Sequence, residues 1–202
     1  MIRPILAFIF LAACGAGKIS NLEDQLEAEV IALNQTVKQL KIEAANCSDG
    51  SSDTIYSDLT QIFKGTEIGV TRDRGVTLIT IPVSHLFADA YSLRFREEAQ
   101  MSLDLLATAL NLHPRHGIIV EGHTNDRLLP TNLVRRFGSH LDLSFQYAAA
   151  VMQQLSEDYD VDENRFTVAA RGMWDPVASN DITSGQDRNQ RVAVHIFRTP
   201  DP

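Results

Sequence analysis

Cysteine is scarce in this chain: two among 202 residues, Cys14 and Cys47, both in its first quarter. No disulfide framework can therefore hold the remainder together. Positive charge is also short, with 18 Lys and Arg against 26 Asp and Glu and a formal charge of −8. That balance argues against nucleic acid as a partner, because phosphate binding needs a basic surface, and against electrostatic adhesion to anionic lipid. Long hydrophobic runs are missing too. The most apolar stretch, from Ile5 to Ala13, is shorter than the roughly 20 residues that span a bilayer. Glycine and proline are absent from Ile19 to Cys47, which removes the usual helix breakers there. No nucleophile elbow and no Gly-rich oxyanion loop is present, so an enzyme is not expected. What is there is ordinary globular composition, 44% hydrophobic and 22% charged, enough for one domain with extensions.

The N-terminus departs from that ordinariness. Arg3 precedes the short apolar run, which ends in small residues, the arrangement of a secretory signal. Leu11-Ala12-Ala13-Cys14 resembles the lipobox of bacterial lipoproteins. That resemblance implies a signal peptide over 1–13 and lipidation of Cys14, with attachment to the membrane through acyl chains. Gly15 rather than Asp after the cysteine implies the periplasmic face of the outer membrane. Losing residues 1–13, which hold Arg3 and no acid, takes the charge from −8 to −9.

Residues 14–47 are expected to form an anchor and a coiled-coil stalk. Ile19, Leu22 and Leu26, then Val30, Leu33, Val37, Leu40, Ala44 and Cys47, repeat at spacings of three and four with one stutter. Acids gather early (Glu23, Asp24, Glu27, Glu29) and bases late (Lys38, Lys41), as a helix dipole favours. The stripe fits either self-association or a single amphipathic helix folded onto the domain. Cys47 falls on the last core position, so it is either an intermolecular disulfide or a buried thiol. Ser48–Asp53 reads as a flexible joint. A short helix then carries Ile55, Leu59, Ile62 and Phe63 on one face and ends at Gly65, so 48–66 forms a linker and helix.

From residue 67 the pattern becomes α/β. Glu67–Thr71 and Val76–Pro82 read as strands around an Arg72-Asp73-Arg74-Gly75 hairpin. Ala99, Leu103, Leu106 and Leu110 mark a helix stopped near Pro114, and His116–Thr124 reads as a buried strand. Leu143, Ala148, Val151 and Leu155 mark another helix, with Arg165–Arg171 and Arg191–Arg198 as closing strands. The order predicts an α/β sandwich with helices on one face of a mixed sheet.

Four blocks carry a family resemblance: Leu86-Phe87-Ala88-Asp89-Ala90; Val120-Glu121-Gly122-His123-Thr124; Arg171-Gly172 with Pro176-Val177-Ala178-Ser179-Asn180; and Gly185 with Asn189-Gln190-Arg191-Val192. In this order they resemble the OmpA/MotB C-terminal domain, over residues 67–198. The Arg127–Ser139 insertion is closer to the MotB branch, although no membrane-spanning run suited to a flagellar stator is present. The resemblance implies a four-stranded mixed sheet and binding to the diaminopimelate residue of the peptidoglycan stem peptide. In the family an Asp after Gly-His-Thr meets the ligand's ammonium, and an Arg in Leu-Ser-x-x-Arg-Ala meets a carboxylate. Here those places hold Asn125 and Tyr147; the Asn opening the second helix aligns with His140, and Arg191 is retained. The implied ligand set is Thr124, Asn125, Asp126, His140, Tyr147 and Arg191, with no metal and no cofactor. Asp126, Arg127, Arg135 and Arg136 lie close enough in sequence to replace the lost charges. Tyr147 fits equally the apolar stripe of Leu143 and Val151. Two functions follow: a wall-binding tether with a divergent site, or an oligomeric envelope scaffold whose domain docks a protein partner.

Three smaller features are expected to be inert. Ser139-His140-x-Asp142 has triad residue types without triad context. His113-x-x-His116 at a helix end is expected in solvent, and Trp174 beside Asp175-Pro176 is expected to pack locally.

Overall fold

The computed structural model describes residues 52–89 and 93–199, together with Gln25, which is helical. The expected signal peptide, the lipidation site Cys14, the rest of the 19–47 stalk and Cys47 lie outside the described residues. No helix among the described residues is long and apolar enough to cross a membrane.

Ser52 and Asp53, read as the end of a joint, instead begin helix α1 (Ser52–Ile62). Its apolar face is the expected one: Ile55 and Leu59 are buried, as is Phe63 just beyond. All three belong to the main core. A hairpin follows, β1 (Gly69–Asp73) and β2 (Val76–Pro82), closed by Arg74 and Gly75 with φ of 46° and 83°. Two consecutive positive φ values make the tight turn whose twist matches paired strands. The first strand therefore starts later than expected and runs through Arg72 and Asp73.

A single turn, α2 (Val83–Leu86), leads to the long helix α3 (Glu97–Leu112) and then β3 (His116–His123). Helix α4 (Thr131–Phe137) occupies the insertion and ends at Gly138, φ 83°. Helix α5 (His140–Gln153) follows, opened by Ser139, whose hydroxyl accepts from the Asp142 amide. Strand β4 (Phe166–Gly172), helix α6 (Thr183–Asn189) and strand β5 (Arg191–Arg198) complete the chain.

The sheet order is β1-β2-β5-β3-β4. Only β3 and β4 run parallel; the other three pairings are antiparallel. The sheet thus has five strands rather than the four that the resemblance implied. The added edge is β1, which pairs with β2 along its whole length, from Gly69↔Thr80 to Asp73↔Val76.

Alternation along the strands decides which residues meet the helices. Ile79, Ile81, Ile118, Val120, Val192, Val194 and Ile196 join Leu103, Leu106, Leu110, Leu143 and Val151 of α3 and α5 in one core. Arg165, just before β4, fastens the end of α3. Its guanidinium donates to the carbonyls of Leu110, His113 and His116, each at 2.9 Å. Two of them, Leu110 O and His113 O, also accept the backbone amides of His113 and His116 at 3.2 and 3.3 Å, so Arg165 adds a second donor at the helix end. His113 and His116 are buried, not solvent-facing as expected, and stack edge to face 5.7 Å apart.

Candidate functional site

The site forms where β3 and β4 end against α5. Gly122 lies so close to α5 that an added Cβ would stand 1.8 Å from the Ser144 carbonyl oxygen. The Ser144 hydroxyl accepts from the Gly172 amide at 2.9 Å and donates to Leu141 O at 2.8 Å. The Thr124 amide donates to Gly172 O at 2.8 Å. These contacts fix the loop that leaves β3.

Within that loop Thr124 and Asn125 are both 3% exposed. Thr124 Oγ1 lies 3.0 Å from His140 Nδ1, so these two expected site residues do meet. Burial holds the His140 imidazole below its usual pKa, against a raising influence from the Asp126 carboxylate. Asn125 turns inward: its Oδ1 accepts from the Arg127 amide at 3.1 Å and its Nδ2 donates to Gln186 O at 3.4 Å. Arg127 in turn donates through Nε to Gln186 Oε1. Asn125 therefore braces Arg127 and α6 rather than presenting a charge. Ser139 is the α5 N-cap: its hydroxyl donates to Asp142 Oδ2 at 2.6 Å and accepts from the Asp142 amide at 3.2 Å.

Helix α6 is held by residues whose roles the sequence reading missed. Asn189, fully buried, accepts from the Val177 and Ala178 amides at 2.8 and 3.0 Å and donates to Ala178 O and Asn180 Oδ1. A Cβ at Gly185 would stand 1.9 Å from Ser179 O. Gly and Asn four apart on a short helix were the available signal.

Beside Arg127 opens a cavity of about 210 Å³, lined by Phe87, Asp89, Arg96, Arg127, Asp187 and Gln190 with Ser84. It carries two carboxylates and two guanidiniums, the complement of a small zwitterion. Tyr147 lies outside it. Its ring is fully buried and stacked on Phe87 at 5.5 Å, so it belongs to the core that supports the cavity floor. The ring thus lies on the apolar stripe that the spacing of Leu143 and Val151 also fits.

Arg191 is also removed from that cavity. It is 5% exposed on the sheet's opposite face, donating to Asn189 O at 3.4 Å and Asp175 O at 3.1 Å. There it lines a larger cavity of about 470 Å³ with Leu78, Glu121, His123, Asp175 and His195. Burial, then the Arg191 charge, pushes the His123 imidazole down to about 4, with Glu121 and Asp175 opposing. His123 is thus neutral in the folded protein where the unfolded chain, near 6.5, would take up a proton. Stability from this group is complete above pH 6.5 and declines as pH falls toward 4, by up to about 1.4 kcal/mol per unit. Urea denaturation at a series of pH values checks this, and His123→Gln flattens the slope. Trp174 departs from expectation as well: it is 76% exposed.

The OmpA family model matches residues 88–190, half of the chain. The chain belongs to the OmpA family. Among curated relatives, this OmpA-family chain is 32% identical to Motility protein B of Bacillus subtilis (strain 168) over 120 residues, 59% of this chain and 44% of that protein. It is 30% identical to Motility protein B of Helicobacter pylori (strain ATCC 700392 / 26695) over 124 residues, 60% of this chain and 46% of that protein. The chain therefore spans less than half the length of these relatives. Among solved structures, the cell wall anchor of the T6SS from Pseudomonas aeruginosa is similar with a TM-score of 0.63 and 30% identity, covering 72% of this chain and 97% of that one. The periplasmic domain of Helicobacter pylori MotB gives 0.61 and 26%, covering 68% and 83%.

Proposed function

We propose that this OmpA-like domain tethers the cell envelope to peptidoglycan through a divergent ligand site. The carrying observation is the 210 Å³ cavity with both charge signs on its wall. Asn125 and Tyr147 took the family's two charges away from their usual places; Arg127, two residues after Asn125, with Asp89, Arg96 and Asp187 from other segments, supplies both signs on the cavity wall. A diaminopimelate side chain, with one ammonium and one carboxylate, matches that wall through charge-assisted hydrogen bonds. The similarity to a cell wall anchor and to MotB supports the same reading. In this proposal residues 1–13 are a signal peptide, Cys14 carries the acyl chains, 19–47 associate with other copies and Cys47 closes a disulfide between them. The protein then sits on the periplasmic face of the outer membrane.

The test is co-sedimentation of the full-length chain with purified sacculi. Arg127→Ala removes one charged contact of about 1.5–3 kcal/mol, so binding weakens by roughly tenfold or more. Undiminished binding by Arg127→Ala would move the ligand elsewhere. A second reading, an oligomeric scaffold docking a protein partner, is favoured by one observation. Trp174, Val177 and Ile182, on the segment from β4 to α6, are 76%, 52% and 59% exposed.

A further inference from the structure

The sheet face turned away from the helices carries a polar centre that the ligand cavity leaves unused. Glu121 and His123 stand two apart on β3, which puts them on one face, and Asp175 reaches them from the loop after β4. One donor atom from each lies within 4.8 Å of the others. The side chains of His123 and Glu121 are 2% and 11% exposed. Buried imidazole nitrogens ordinarily have hydrogen-bond partners, yet Nδ1 of His123 makes no hydrogen bond. Its Nε2 pairs with Glu121 Oε1 at 3.0 Å, and its Nδ1 lies 4.0 Å from Asp175 Oδ2. On the adjoining strand, His195 Nε2 is 4.0 Å from Glu121 Oε1 and likewise has no hydrogen bond.

We propose that Glu121, His123 and Asp175 bind one divalent transition-metal ion of the zinc class. A mixed imidazole and carboxylate donor set suits zinc and its neighbours, whereas calcium and magnesium want oxygen shells. Donors around a tetrahedral zinc stand roughly 3.3 Å apart, given bonds of about 2.0–2.1 Å. The Glu121–His123 separation meets that already. Asp175, 60% exposed on its loop, is the ligand able to move inward. Arg171 donates to Glu121 Oε2 at 3.0 Å, which leaves Oε1 for the ion. Arg191, 3.6 Å from Asp175, opposes the ion's charge and limits its affinity. The ion would pin the loop after β4 to β3. This inference is independent of the peptidoglycan reading.

The full-length chain, stripped with chelator, is titrated with Zn²⁺ by calorimetry and with Co²⁺ by visible absorption. One saturable site per chain is expected. Asp175→Asn and Glu121→Gln each lower its affinity at least about tenfold. Asp175 is exposed, so that variant keeps its fold even if Glu121→Gln does not, which circular dichroism checks. No saturable site, or a site whose affinity survives Asp175→Asn, overturns the proposal.

Discussion

Gly122→Ala is expected to unfold the domain, or to lower its stability by more than about 3 kcal/mol, beyond the usual cost of overpacking. The added Cβ would meet the Ser144 carbonyl oxygen at 1.8 Å and its carbonyl carbon at 2.7 Å. Both are helix backbone atoms, so no rotamer change relieves the clash. Either α5 lifts from β3, exposing Leu143 and Val151, or the bond between Ser144 Oγ and the Gly172 amide breaks. Gly69→Ala is the matched control. Its Cβ would meet Thr80 at an ordinary 3.7 Å, so it should be neutral or stabilising by up to about 1 kcal/mol. Chemical denaturation of both variants separates close approach from a general sensitivity of strand glycines. Wild-type stability in Gly122→Ala would mean that β3 and α5 do not meet this closely.

Tyr147→Ala should cost about 3–5 kcal/mol, as truncating a large core aromatic does. The ring is fully buried and stacks on Phe87, which itself sits 4.8 Å from Phe95. Because Phe87 also lines the small cavity, the loss should weaken ligand binding indirectly even where the domain stays folded. Tyr147→Phe keeps the stacking and should cost no more than about 1.5 kcal/mol. If Tyr147→Phe instead abolished ligand binding at full stability, the hydroxyl would be a ligand contact and its assignment to the core would fail.

The fold was largely legible because its signals are local and periodic. The hairpin signal at Arg72–Gly75 marked β2, alternation marked β5, and the three-and-four spacing from Ala99 to Leu110 marked α3. Helix α4 was not read: it is short, and of its residues only Leu133 is buried. Pro130 before it and Gly138 after it were the flags. The site was legible as a neighbourhood and not as a list. Thr124 and His140 do meet, and the loop after β3 contributes Arg127 to the cavity. Asp89, Arg96 and Asp187 belong to three separate segments, so no spacing could announce that they share a wall. Tyr147 shows the converse case. Alignment gave it a ligand's place, while the apolar stripe it also fits decided where its ring went. His123, which the sequence left without a role, stands buried beside Glu121 because alternation turns both to one face.

In the proposed function, the cavity beside Arg127 holds a diaminopimelate side chain. Calorimetric titration of the full-length chain with a stem peptide bearing diaminopimelate, set beside the same peptide bearing lysine, tests it most directly. Saturable binding of the first is expected, with at least about tenfold weaker binding of the second, which lacks the extra carboxylate for Arg127, and loss of that preference in Arg127→Ala. Equal binding of both peptides, or binding of neither, would contradict it.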